Sequence, residues 1–103
     1  MGTERRRDNR FRTASDGIWR NCTQRTVPET ANILNISVGG YLAQVRNRPA
    51  IGDAVELTVD DLILMGEVTH CSPDGEKWLA GVRIEHRLSL AQLARILNPY
   101  GEA

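Results

Sequence analysis

The period of the chain restricts its fold more than any other feature. Apolar and polar residues alternate in short runs, and each run meets a turn signal before it could make a helix of ordinary length. "AVELTV" sets Val55, Leu57 and Val59 on one face. In "ANILNISVGG" simple alternation puts Leu34, Ile36 and Val38 inward, with Ile33, Asn35 and Ser37 on the opposite, outer face. "YLAQV", "LILMGEVTHC" and "WLAGVRIEH" read as further strands. They are separated by "RNRPAIGD", "DD" and "SPDGEK", whose Pro, Gly and Asp residues favour reversals. At 103 residues and 41% hydrophobic content the chain can bury one modest core. Such strands predict a mainly β domain, a small barrel or a sandwich.

Near the carboxyl end the period changes. Ser89 and Gln92 have the spacing of a capping box, Leu90, Leu93 and Leu97 recur at helical intervals, and Asn98-Pro99 ends the segment. A helix of about nine residues is marginal alone in water, so its leucine stripe must dock, most simply over one open end of a barrel. Trp19 and Trp78 are expected in the core or at the barrel mouth.

Charge is balanced in total and uneven in place. Five arginines fall in the first twelve residues, in "ERRRDNRFR". Residues 1–25 hold seven arginines against Glu4, Asp8 and Asp16, while residues 50–82 hold seven acids against Lys77 alone. Only one of the thirteen basic residues is lysine. A guanidinium stacks on aromatic faces and grips phosphate with two parallel donors, whereas an ammonium supplies only charge. With a pI of 6.7 the whole chain is not the basic surface that duplex DNA selects, and a small anionic ligand fits better. Residues 1–12 have too few apolar groups to bury and are expected to form a flexible arm, ahead of a folded unit over 13–98 and a tail over 99–103.

Catalysis finds little footing in these residues. There is no nucleophile elbow, HExxH motif or Walker loop, and Asp60-Asp61 falls in a turn signal where paired charges commonly face water. Cys22 and Cys71 stand 49 positions apart without a CxxC motif, and His70 lacks a carboxylate or third ligand in useful spacing. No enzyme activity, metal or cofactor is expected. No window approaches the roughly 18 apolar residues of a membrane span, so a cytoplasmic location without membrane insertion is expected.

Two short patterns carry more. Arg6 and Arg10 make an RxxxR element, and "NISVGG", Asn35 to Gly40, makes an NxSxxG element. In this order and followed by this strand pattern, they resemble the PilZ domains, which bind the bacterial second messenger cyclic di-GMP. The resemblance extends from about Glu4 to Asn98. It implies a six-stranded antiparallel β-barrel with one short C-terminal helix, and a receptor that couples messenger binding to ordering of its arm and to altered contact with a downstream protein. It also implies roles. Arg6 and Arg10 would lie against guanine bases and phosphates, Arg5 would add a phosphate contact, and Asn35 and Ser37 would hydrogen-bond a guanine edge or phosphate. Gly39 and Gly40 would keep the strand end open to the ligand. An arginine at position 5, just before the motif, implies two intercalated copies of the messenger. No DNA or RNA partner is expected. Two other readings use the same residues: a ligand-free protein-interaction adaptor, and nucleic-acid binding through the arm, which would weaken steeply with salt.

Overall fold

The computed structural model describes residues 9–98. Six strands and one helix follow in order: β1 (Phe11–Asn21), β2 (Glu29–Ile36), β3 (Gly40–Val45), β4 (Ala54–Val59), β5 (Leu62–Asp74), β6 (Lys77–Ile84) and α1 (Leu90–Leu97). The strands close into an antiparallel barrel in the order β1-β2-β3-β6-β5-β4. Closure leaves no free sheet edge, which suits a chain too short for a second layer. Phe11 and Arg12, at the end of the segment expected as an arm, open β1 by pairing with Ile36 and Asn35.

Alternation holds in β4, where Val55, Leu57 and Val59 are all buried. It fails once in β2. Ile33 and Ile36 are fully buried, while Leu34 is 36% exposed, so the expected inward set of Leu34, Ile36 and Val38 is corrected. The cause is a bulge. Ile33 pairs with Ala43 and Asn35 with Leu42, so two steps on β2 match one on β3 and the side-chain phase flips. Trp19 is buried in the core. Trp78 is partly buried at the end of the barrel where β3 finishes, pairs with Val45, and carries the Arg48 guanidinium 4.9 Å from its ring centroid.

Because neighbouring strands run antiparallel, the start of β1, the β2–β3 turn, the β4–β5 turn and the end of β6 gather at one end of the barrel. The helix covers this end. Its capping box is formed: the Ser89 hydroxyl accepts from Gln92 N at 3.1 Å, and the Gln92 side chain accepts from Ser89 N at 2.9 Å. Its buried residues are Leu93 and Ile96, preceded by buried Leu88, whereas Leu90 is 77% exposed. The docking face is therefore rotated from the expected stripe. Three contacts hold α1 to the rim: Ser15 Oγ donates to Ile96 O at 3.0 Å, Leu88 N donates to Val38 O at 2.8 Å, and Arg95 pairs with Asp61 at 2.7 Å.

A buried carboxylate helps to tie the opposite end. Asp53, 6% exposed, accepts from Asn21 Nδ2 at 2.8 Å, Gln24 Nε2 at 2.7 Å and Ala50 N at 2.9 Å. Burial opposes its charged form, but these three donors outweigh that and hold its pKa below the usual carboxylate range. Cys22 and Cys71 are both free thiols.

Candidate functional site

The two sequence patterns meet at the helix-covered end. Pairing of Phe11 with Ile36 and of Arg12 with Asn35 brings the chain just before β1 alongside the end of β2. Arg10 lies there and donates from Nη1 to Oδ1 of Asn35 at 2.7 Å. A residue from each pattern, 25 positions apart, is thus in direct contact. The bond is charge-assisted and exposed, so a ligand anion can compete for the guanidinium.

Arg12 was not singled out by either pattern. It is exposed and directly opposite Asn35, so both side chains leave the barrel on the same outer face. The signal that could have found it is parity, since Arg10 and Arg12 are two apart at the mouth of a strand. Arg83 also enters the neighbourhood, as the cross-strand partner of Gly40, where it pairs with Glu67 at 2.7 Å.

Ser37 is placed differently from the expectation. It follows β2 rather than continuing it, is only 3% exposed, and does not share the outer face with Asn35. Its hydroxyl accepts from Gly39 N and Gly40 N, each at 3.2 Å, and lies 3.3 Å from Gly40 O, while its own N–H donates to Gly40 O at 2.8 Å. These bonds shape the β2–β3 turn from inside. Gly39 O accepts from Ile84 N at 2.9 Å, which ties the turn to β6. At Gly40 a Cβ would fall 2.6 Å from Val82 O, so only glycine lets β3 approach β6 this closely.

Arg5 and Arg6 lie outside the described residues. Among the described residues no group of three or more His, Cys, Asp or Glu could hold a metal, and no helix is long and apolar enough to cross a membrane.

A family model for the PilZ domain matches residues 4–98. No curated protein matches the sequence. Among solved structures, the chain is similar to a MrkH–c-di-GMP complex from K. pneumonia, with a TM-score of 0.65 and 16% identity over 91% of this chain and 50% of that one. A second structure of MrkH, described as a c-di-GMP-dependent transcription regulatory factor, matches with a TM-score of 0.59 and 19% identity over 96% of this chain and 52% of that one. The chain spans about half the length of either. At these identities the likeness establishes the shared fold, a closed six-stranded barrel with a C-terminal helix.

Proposed function

Since the chain belongs to the PilZ domain family, we propose that it binds cyclic di-GMP on the outer face of the barrel at the helix-covered end. The observation that carries this reading is the Arg10–Asn35 contact, which joins the two motif elements of the family in one patch. MrkH, which shares the fold, is described in complex with the same messenger.

The chemistry suits the residues. The messenger presents two phosphate charges and two flat bases, and a guanidinium serves both by bidentate hydrogen bonding in its plane and stacking across it. Arg10 would turn from Asn35 toward phosphate or base, releasing the Asn35 amide to a guanine edge. Ser37 would act through the turn it shapes, keeping Gly39 and Gly40 at a fixed height beside the ligand. Arg5 and Arg6 would close over the messenger from the amino-terminal side, with Arg5 favouring two intercalated copies. Charge-assisted contacts of this kind contribute about 1.5–3 kcal/mol each, less when exposed, so a few of them with stacking support micromolar binding.

The family is a binding module, and the proposed output is a change in the surface offered to a downstream protein as the residues before β1 order on the ligand. The expectation that no nucleic acid takes part gains no support from MrkH, a transcription regulatory factor. Calorimetric titration with cyclic di-GMP, with GTP as control, tests the proposal. Micromolar or tighter binding of the cyclic dinucleotide alone is expected, and equal heats for both nucleotides would overturn it.

A further inference from the structure

The wall made by β1, β4 and β5 carries an apolar row on its outer side. Ile18 pairs with Thr58, and Thr58 with Ile63. Their strand neighbours Trp19, Leu57, Val59 and Leu64 are buried, so by alternation all three side chains leave the barrel. Ile18 is 50% exposed and Ile63 60%, and Met65, two residues further on the same face, is 38% exposed. Single apolar residues on a surface are ordinary, whereas a contiguous group of them marks a contact. Opposite charges bracket the row along β1. Asp16 stands two residues before Ile18 and Arg20 two after it, both exposed and both on the outer face. Arg20 lies 3.6 Å from Glu56, its neighbour on β4, so that these two balance each other. Asp16 has no ion-pair or hydrogen-bond partner for its side chain among the described residues.

We propose that this wall is the contact between two copies of the chain, related by a two-fold axis that runs along the Ile18–Thr58–Ile63 row. Rotation about that axis reverses the strand direction and turns one wall to face the other. Each residue of the row then meets its own copy. Residues two positions to either side change places, so Asp16 comes opposite Arg20 of the second copy and Arg20 opposite its Asp16. One patch thus supplies both halves of an isologous interface, two ion pairs around an apolar strip. Stacking the walls with strands in the same direction would instead set Asp16 against Asp16 and Arg20 against Arg20, and like charges reject that register. The charge order along β1 is therefore complementary to itself in one orientation only.

The contact is small. Three strands span about 10 Å, and a barrel wall curves away on both sides, so the buried area falls below the roughly 800 Å² per partner of standard interfaces. Association of this kind has a dissociation constant on the order of 100 µM. The inference uses none of the motif residues and does not rest on the proposed cyclic di-GMP binding.

Sedimentation velocity of the chain over concentrations from about tenfold below to tenfold above that value tests it. The wild type should pass from monomer to dimer, and Ile63→Glu, which places a charge in the apolar strip, should weaken association by about tenfold or more. Asp16→Arg and Arg20→Asp should each weaken it severalfold. The two substitutions combined should recover most of the loss, because the exchange restores opposite charges across the axis. All three positions are exposed, so the variants should melt close to the wild type. A wild type that stays monomeric throughout overturns the inference and leaves the wall to a different protein, and an Ile63→Glu variant that associates as the wild type does overturns it too. A combined variant no tighter than the single reversals overturns the two-fold pairing of Asp16 with Arg20.

Discussion

The Arg10 guanidinium and the Asn35 amide oxygen are 2.7 Å apart, a contact made across 25 positions of sequence at the mouth of the β1–β2 pair. If the ligand uses both groups, their contributions to affinity are coupled. Arg10→Ala should weaken cyclic di-GMP binding at least tenfold, which needs only ~1.4 kcal/mol. In a double-mutant cycle Arg10→Ala with Asn35→Ala should lose less than the two single losses together. Strict additivity would separate the two residues in the mechanism.

Arg12, opposite Asn35 on the same face, should contribute through charge at an exposed position. Arg12→Ala is expected to reduce affinity by under ~1 kcal/mol, less than Arg10→Ala, with the loss shrinking further in high salt. An unchanged salt dependence in the variant would take Arg12 away from the ligand.

Ser37 distinguishes turn-shaping from direct contact. Removing its buried hydroxyl leaves two glycine N–H groups without their acceptor, so Ser37→Ala should lower unfolding free energy by about 1–3 kcal/mol, read as a lower urea midpoint. Any affinity loss should accompany that change. A variant as stable as the wild type that no longer binds would put the hydroxyl on the ligand itself.

Asp53 predicts the acid behaviour of the fold. Its folded-state pKa is held below the unfolded value of about 3.9, so its contribution is full above that pH and is lost as the pH falls below it, through the folded value. Asp53→Asn should therefore lower stability near neutrality by about 1–3 kcal/mol and flatten the decline at low pH, both measurable by thermal melts from pH 7 to pH 3. A melt series with unchanged acid dependence would remove Asp53 as the relevant group.

Much of the barrel could be read along the chain because strand alternation and turn residues are local. Val55, Leu57 and Val59 face inward because each side chain sees only its own strand's pleat, and Ser89 with Gln92 caps α1 because a helix end needs partners three residues away. Ile33 escaped this logic. Its burial depends on an extra residue accommodated against β3, which is a property of the pair and not of either strand. The helix face escaped for a similar reason: Leu90 and Ile96 are equally apolar, and only the rim contacts of Ser15 and Asp61 decide that Ile96 turns inward.

By itself the sequence determined the β class, the turns that follow β3, β4 and β5, the helix cap and the two patterns that identify the family, since all of these follow from residues within a few positions of one another. Tertiary structure alone decided that Arg10 touches Asn35, that Ser37 lies beneath the turn, and that Leu42, Gly81 and His70 line up beyond them. Those relations depend on inter-strand register and on three bulges, which shift strands past each other by one residue and are chosen by the packing of the closed barrel as a unit.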